Sequence, residues 1–421
     1  MLVKSKDFIH FSTIPYFNFS SIWSHIKERA KDPILGLVDD FNKDPCPNKV
    51  NLTVGAYRDE NGKPYVLHCV REAEKLYSKL KANHEYLPIG GIPSFVKHSL
   101  EFAYSKDCPL IKQGKICAVQ ALSGTGAIRI GFEFLNLFYQ GNKCIYLPKP
   151  SWPNHANICN RVGIKQGQYR YYDYKNKCVD FNGLIEDIEQ APNKSIILFH
   201  ACAHNPTGMD LTKEQWKDVA EIIKAKNHLP FMDMAYQGFA SGDPVNDSYA
   251  VRLFANKGLN VVLSQSYAKN LGLYGQRVGC LSFVCKSEKE VAAMKSQLNF
   301  ICRSSYSNPP KYGAAITDTI FSSKILTNQW MEELKKMSGR IMKMRELLSK
   351  GLKENGSELD WSHITKQIGM FAFTGLTKEQ VKKLREQYHI YLVASGRISV
   401  AGLNTHNVEY VAKAFHEVTK F

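Results

Sequence analysis

The chain has 421 residues, more than a single ordinary domain needs, and its 44% hydrophobic content supplies a large core. No apolar run approaches the roughly 18–20 residues that span a bilayer, and the 11 scattered cysteines form no C-x-x-C pair, so we expect neither a membrane partner nor a secreted disulfide scaffold. The net charge of +16 is spread over predicted amphipathic helices. It favours small anionic ligands, and we expect no nucleic-acid partner, with polyanion binding kept as an alternative, additional role.

Residues 1–20, MLVKSKDFIHFSTIPYFNFS, form an aromatic-rich segment before the first predicted helix. The segment contains no arginine and one aspartate, which is unusual for a mitochondrial presequence, and it lacks the sustained apolar stretch of a secretory signal. We therefore predict an N-terminal arm and a cytoplasmic location, in preference to a mitochondrial one.

Helical and strand-like segments alternate from residue 21 onward, with no internal repeat. The strand candidates after residue 110 are KICAVQAL, KCIYLPK, SIILFHACA, LPFMDMA, LNVVLSQSY and GCLSFVC. Helical segments between most of them predict an α/β domain with a largely parallel sheet, and in such sheets ligands bind beyond the carboxyl ends of the strands. The pattern changes near residue 330, where GMFAFTGL, IYLVAS and RISVAG indicate a smaller α+β unit.

The first of these strand ends carries a Gly-rich turn, SGTGAIRIGFEFL (123–135), which leads into a helix. Backbone N–H groups at the start of that helix, with the hydroxyls of Ser123 and Thr125, suit a phosphate. Glycine turns between a strand and a helix are also common in purely structural roles. Arg129 replaces the third glycine of a dinucleotide fingerprint, so that class of site is not predicted.

The next two strand ends carry aromatic, histidine and amide side chains. Trp152 and His155 follow KCIYLPK, where a tryptophan either packs or stacks on a flat ligand. Asn205 lies in the HNPTG turn, either as an ordinary turn residue or as an amide donor to a ligand. The spacing of His200 and His204 is typical of metal ligands, but no nearby glutamate completes the pattern, and we predict no metal site.

The strongest chemical signals come from the last two parallel strands. Asp233 interrupts the apolar run LPFMDMA near its end, where an unpaired carboxylate would be costly, and Tyr236 follows three residues later. Lys269 lies in the turn after LNVVLSQSY, close to Arg277. A partly desolvated amine beside another cation has a lowered pKa and is a good nucleophile toward aldehydes, although most lysines are simply solvated.

Two arginines lie far downstream, Arg303 in CRSSYSNPP and Arg397 in LVASGRISVAG. Isolated arginines are usually surface residues. Together with a phosphate site and a cationic turn, however, they indicate two carboxylates that are bound in a bidentate manner.

In combination, these residues resemble the aspartate aminotransferase branch of the fold-type I pyridoxal-phosphate enzymes. The resemblance begins near Trp23, leaves out only the arm, and rests on motifs that occur in the order of the family. They are DPILG, NLTVGAYRDENGKPYVL, NHEYLPI, SGTGA, PSWPNH, HNPTG, DMAYQGF, SYAKNLGLYGQRVG, YSNPP, GMFAFTGL and SGRISVAG. Thr53 departs from the family, which often has glycine at this position near Gly55.

The resemblance implies pyridoxal 5′-phosphate as cofactor and assigns a role to each residue. Lys269 matches the lysine that bonds to the cofactor and moves the substrate proton, and Asp233 the carboxylate at the pyridine nitrogen. Tyr236 and Asn205 match the groups that share the cofactor O3′, and Trp152 the ring on the cofactor face. His155 and His200 match groups behind Asp233. The residues that match the phosphate site are Ser123, Gly124, Thr125, Ser266 and Arg277, with Tyr86 of the neighbouring subunit.

For the substrate, the resemblance assigns the α-carboxylate to Arg397, the distal carboxylate to Arg303 of the neighbouring subunit, and a backbone contact to Gly55, with Trp152 and Asn205 beside it. It implies a homodimer with shared active sites that exchanges amino groups between small dicarboxylic amino and keto acids, with an aromatic-preferring transaminase of the same family as the alternative. The predicted domains are an arm (1–20), a small domain made of 21–64 and 331–421, and a large cofactor-binding domain (65–330).

Overall fold

The computed structural model describes residues 21–29, 32 and 34–420. The chain divides into two compact units between Asp32 and Pro33. Residues 22–25 form a turn in the first unit, and the predicted arm lies outside the described residues. None of the helices in the described part of the chain combines the length and apolar composition that a bilayer crossing requires.

All regular elements of the described residues lie in the second unit. The strands are β1 (Val50–Asn51), β2 (Ile116–Leu122), β3 (Cys144–Lys149), β4 (Lys165–Arg170), β5 (Tyr172–Asp173), β6 (Cys178–Val179), β7 (Ile196–His200), β8 (Leu229–Met234), β9 (Val262–Ser266), β10 (Val278–Val284), β11 (Phe371–Phe373), β12 (Ile390–Tyr391) and β13 (Arg397–Ser399). The α-helices are α1 (Leu35–Lys43), α2 (His68–Lys79), α3 (Pro93–Tyr104), α4 (Pro109–Lys112), α5 (Ser123–Phe138), α6 (Pro153–Val162), α7 (Phe181–Gln190), α8 (Lys213–Ala225), α9 (Pro244–Asp247), α10 (Tyr249–Asn256), α11 (Glu288–Tyr306), α12 (Tyr312–Ser322), α13 (Lys324–Glu354), α14 (Ser362–Lys366), α15 (Lys378–Tyr388) and α16 (Val408–Thr419).

A seven-stranded sheet in the order β2-β10-β9-β8-β7-β3-β4 forms the centre of the fold. Every neighbouring pair is parallel except the two that involve β10, which runs antiparallel to β2 and β9. The central strands are continuous apolar runs because helices cover both faces of the sheet. In β7, for example, Ile197 and Phe199 join one hydrophobic core while Ile196 and Leu198 join the other, as the two-residue period of a strand requires. The predicted α/β class with a mostly parallel sheet is confirmed.

A two-stranded sheet joins the N-terminal and C-terminal parts of the second unit, where β1 pairs in parallel with β12. A second small sheet, of β11 antiparallel to β13, lies within the C-terminal part. The predicted boundary at residue 330 falls inside the 31-residue helix α13, and the domain boundaries stay a prediction.

The topology brings the predicted site residues to one edge of the sheet. The carboxyl ends of β2, β3, β7, β8 and β9 lie on the same side because these strands run in the same direction. Strand β10 runs the other way, so its amino end, directly after Arg277, reaches this edge as well, where Val278 pairs with Leu122. Side chains from distant parts of the sequence therefore meet here.

Candidate active site

Lys269 lies three residues beyond β9, and its Nζ is 5.4 Å from the centre of the Tyr236 ring. Burial lowers the pKa of this amine from 10.5 to about 8; Asp233 acts in the opposite direction, and Arg277 and Arg397 lower it further. Burial also raises the pKa of the Tyr236 phenol, which therefore stays protonated and able to donate a hydrogen bond. The amine is consequently available as a neutral base or nucleophile near neutral pH.

Asp233 is the carboxylate at the end of β8, and its side chain is buried. Burial raises its pKa, but the hydrogen bond from His155 and the positive charge of Lys269 act in the opposite direction, and the pKa lies below its usual range. The contact joins His155 Nε2 to Asp233 Oδ2 at 2.9 Å, and because a carboxylate only accepts, Nε2 carries the proton. The site thus keeps a fixed negative charge.

Behind His155, a short hydrogen-bond chain fixes the orientation of its ring. The backbone N–H of Asn205 donates to His200 Nδ1 at 3.1 Å, which leaves His200 Nε2 as the donor to Ser151 Oγ at 3.4 Å. The Ser151 hydroxyl then donates to His155 Nδ1 at 2.9 Å. Burial lowers the pKa of His200 to about 3, in agreement with a neutral ring. Sequence reasoning missed Ser151, although it lies inside the PSWPNH motif.

Several residues of the predicted phosphate site lie together where helix α5 begins. The hydroxyls of Ser123 and Ser266 share a hydrogen bond of 2.8 Å, and no side chain caps the N-terminus of the helix. Gly279 permits the close approach of α5 to β10, since a Cβ there would lie 2.6 Å from the carbonyl carbon of Ser123. Gly124 and Thr125 complete the first turn. Free N–H groups, two hydroxyls and the helix dipole together suit an anion.

Arg277 and Trp152 flank this part of the edge. Arg277 precedes β10 with φ of +53°, and its guanidinium donates to Tyr274 O at 2.9 Å. Its charge acts on Lys269. Trp152 caps the start of α6 and meets the His155 ring edge to face, with 5.2 Å between the ring centres.

Arg397 is 4% exposed, and within the described residues no carboxylate pairs with it. Its guanidinium donates to Thr53 O at 2.6 Å and to Asn205 Oδ1 at 3.4 Å, and it lies 4.2 Å from the centre of the Phe371 ring. Among the described residues its Nε has no hydrogen-bond partner. Burial lowers its pKa to about 10, so the side chain is still a cation at neutral pH.

Gly55 packs against Phe371, the ring that contacts the Arg397 guanidinium. A Cβ at residue 55 would come within 2.5 Å of Phe371 Cζ, so a side chain larger than hydrogen would displace the ring. Phe371 was not singled out from the sequence, although it belongs to the GMFAF motif. The Thr53 hydroxyl turns away and donates to Asn51 Oδ1 at 2.6 Å, while its carbonyl holds Arg397.

Tyr86 and Arg303 are the predicted site residues that the fold does not bring to this edge. Tyr86 is 80% exposed, and Arg303 lies on the exposed surface of α11, where it donates to Ser307 Oγ. In the described residues neither side chain contacts Lys269, Asp233 or Arg397. Their assignment to a neighbouring subunit stays a prediction.

The chain is similar to known proteins over most of its length. Residues 47–415 match the family model described as Aminotransferase class I and II. Mitochondrial aspartate aminotransferases from Xenopus tropicalis and Arabidopsis thaliana are each 51% identical to the chain, and the matches cover 95% and 96% of this chain and 94% and 93% of the relatives. The solved aromatic-amino-acid aminotransferase from Burkholderia pseudomallei, covalently bound to pyridoxal phosphate, has a TM-score of 0.92 and 43% identity, covering 95% of this chain and 100% of its own.

These relatives correct the predicted location. The expectation of a cytoplasmic protein is wrong, because both relatives are mitochondrial by name. That expectation depended on the lack of arginine in residues 1–20, yet Lys4 and Lys6 give the segment a positive charge with a single acidic residue, and a low acidic content is itself typical of presequences.

Proposed function

The chain belongs to the class I and II aminotransferases, and we propose that it is an aspartate aminotransferase. It exchanges the amino group between L-aspartate and 2-oxoglutarate, giving oxaloacetate and L-glutamate, by a reversible ping-pong route. Pyridoxal 5′-phosphate is the cofactor. The relatives' names also support a mitochondrial location.

One observation carries the proposal: a half-buried amine with a pKa of about 8 lies within the electrostatic influence of a buried arginine that has no carboxylate partner among the described residues. A buried, unpaired cation is costly unless a ligand supplies the opposite charge. The ligand that satisfies Arg397 is therefore an anion, and Lys269 requires a group that gives up a proton to a base. An amino acid meets both requirements, because its α-carboxylate is attached to an α-carbon from which a proton can be removed.

The residues at this edge fit pyridoxal phosphate. When bound, it supplies an aldehyde that condenses with amines and a pyridine ring that withdraws electrons from the substrate α-carbon. The start of α5, with Ser123, Ser266 and Arg277, would hold the phosphate. Asp233 would hold the pyridine nitrogen, and Tyr236 and Asn205 the ring oxygen. Trp152 would cover one face of the ring.

Each protein group has a task that follows from its charge. Lys269, with its lowered pKa, takes a proton from the substrate α-carbon and returns it one step later. Asp233 stays ionised through the hydrogen bond from His155 and so keeps the pyridine nitrogen protonated. Arg397 orients the substrate through its carboxylate, and the carbonyl of Thr53 and the ring of Phe371 hold the guanidinium in place.

The selectivity for dicarboxylates belongs to Arg303, which we assign to the active site of the partner subunit in a homodimer, together with Tyr86. The contacts of the two segments support this assignment. Asn308 Nδ2 donates to Leu87 O at 3.0 Å and Lys311 Nζ donates to Asn83 O at 3.1 Å, so the stretch that carries Tyr86 lies against the residues that follow α11. Both side chains therefore belong to one exposed region, as a shared interface requires.

The absorption spectrum of the purified protein tests the cofactor, the lysine and the substrate together. A visible band should be present, borohydride should bleach it, and L-aspartate should shift it. In the matched variant Lys269→Ala the cofactor should bind through its remaining contacts, but borohydride should no longer attach it to the chain. A protein that binds no pyridoxal phosphate, or that produces no oxaloacetate from aspartate and 2-oxoglutarate, would contradict the proposal.

An aromatic-preferring aminotransferase is the second candidate, because the Burkholderia pseudomallei neighbour has that activity by name. The ratio of kcat/KM for aspartate to that for phenylalanine separates the two candidates. We expect aspartate to be preferred by at least about tenfold, since a hydrogen-bonded ionic pocket discriminates strongly against a substrate that leaves its charges unpaired.

A further inference from the structure

The loop between β7 and α8 contains a backbone conformation that its residue type disfavours. Ala203 has φ of +50°, in the left-handed region, and its side chain is buried. A non-glycine residue in this region costs free energy and persists only where surrounding contacts hold it, and such residues cluster at functional sites. The loop also carries Asn205, two residues further on.

Asp210 supplies the contacts that hold this conformation. Its Oδ2 accepts the N–H of Ala203 at 2.6 Å, and its Oδ1 accepts the N–H of His204 at 2.8 Å. Hydrogen bonds to an ionised acceptor are among the stronger ones in proteins. On the other side of the loop, a Cβ on Gly369 would lie only 2.4 Å from Ala203 Cβ, so the loop packs tightly where Gly369 leaves room for it.

Asn205, in the same loop, contacts Arg397, the arginine proposed to bind the substrate carboxylate. The peptide N–H of Asn205 donates to His200 Nδ1 at 3.1 Å, and the Asn205 amide oxygen accepts from Arg397 at 3.4 Å. A rotation of the backbone at Ala203 would move the Asn205 peptide N–H away from His200 and the Asn205 side chain away from Arg397. Asp210 itself contacts neither Asn205 nor Arg397 through a described hydrogen bond, so its influence on them passes through the backbone.

We propose that Asp210 is a positioning residue, which holds the left-handed backbone at Ala203 and thereby fixes the Asn205 amide between the cofactor site and Arg397. The inference rests on the proposed function, since the site that Asn205 serves is the aminotransferase site.

Asp173 provides a matched control. Its Oδ1 accepts the N–H groups of Lys175 at 2.8 Å and Asn176 at 3.0 Å, so this carboxylate also binds two neighbouring peptide N–H groups, in an exposed turn that carries no site residue. Asp210→Asn and Asp173→Asn each remove the charge of a carboxylate that accepts two backbone N–H groups. A general effect of weakening a turn should appear in both variants, and an effect on the site only in the first.

The experiment compares these two variants with Ala203→Gly and the double variant Ala203→Gly/Asp210→Asn, all loaded with pyridoxal phosphate. The readouts are kcat/KM for aspartate and the pH midpoint of the cofactor's visible absorbance. Asp210→Asn should lose about tenfold or more in kcat/KM, as expected for the loss of charge-assisted bonds, and its absorbance midpoint should move by about half a pH unit or more. Asp173→Asn should stay within about twofold of wild type.

The double variant decides the mechanism. Glycine adopts the left-handed conformation without strain, so Ala203→Gly should restore at least half of the lost activity, on a logarithmic scale, to the Asp210→Asn background and return the absorbance midpoint toward wild type. An unshifted midpoint in Asp210→Asn, or a double variant no better than the single one, would overturn the inference. If Asp210→Asn does not fold, Asp210→Glu replaces it, since glutamate retains the charge but displaces the acceptor oxygens. A wild-type absorbance midpoint in Asp210→Glu would also overturn the inference. Failure of the wild-type chain to transaminate aspartate would instead refute the proposed function.

Discussion

The charge environment of Lys269 can be tested in the cofactor-free protein through the pH dependence of its reaction with cyanate. Burial lowers the pKa of the amine from 10.5 to about 8, against the opposing charge of Asp233. At pH 7 an amine with a pKa near 8 is about one-tenth neutral, whereas one with an ordinary pKa is neutral in about three molecules of ten thousand. Because only the neutral amine attacks, Lys269 should react about 300-fold faster than a fully exposed lysine of equal intrinsic reactivity.

Two substitutions should move the pH midpoint of the reaction between Lys269 and cyanate in opposite directions. Asp233→Asn removes a negative charge that favours the protonated amine, so the midpoint should fall below that of wild type. Arg277→Gln removes a positive charge that disfavours it, so the midpoint should rise. Mass spectrometry of the peptide that contains Lys269 measures the modified fraction at each pH, with exposed lysines of the same sample as the internal standard. Titration of Lys269 together with those exposed lysines, or a shift of both variants in the same direction, would refute the electrostatic reasoning.

Further predictions concern the two arginines and the shared site. Arg303→Ala should lower kcat/KM for aspartate and glutamate by more than a hundredfold while sparing alanine, because breaking a buried ion pair costs roughly 3–5 kcal/mol; equal losses for all substrates would contradict its role at the distal carboxylate. Arg397→Ala should impair every amino acid alike, as measured across the same substrates. Refolding Lys269→Ala together with Arg303→Ala should restore about a quarter of wild-type activity if each site draws on both chains. An inactive mixture with verified mixed dimers would exclude the shared site.

The sequence was sufficient to predict the sheet and the edge at which most of the candidate site residues meet. Apolar runs such as SIILFHACA and LPFMDMA became β7 and β8, because a strand covered by helices on both faces must be apolar throughout. Asp233 lies near the end of β8 and Asn205 in the turn that follows β7, so both were expected at the carboxyl edge of the sheet. Parallel strands bring their ends to the same edge whatever the length of chain between them.

The sequence pattern misled us about the location of the protein. The lack of arginine in residues 1–20 argued against a mitochondrial presequence, and the mitochondrial relatives contradict that argument. Composition is a weak criterion over so short a segment, since a few lysines supply the same charge.

Local sequence determined which residue types stand at the strand ends, and so the chemistry that the edge of the sheet can perform. Only the tertiary structure decided how those groups act on each other. Arg397 is a buried cation without a carboxylate partner in the described residues because Thr53, Asn205 and Phe371, each from a different part of the chain, surround it with a carbonyl, an amide and a ring. Likewise, Ser151 and Asp210 orient site residues through contacts that no periodic pattern in the sequence predicts. Hydrogen bonds between loops depend on where the packed core places the loops, and that placement is a property of the whole fold.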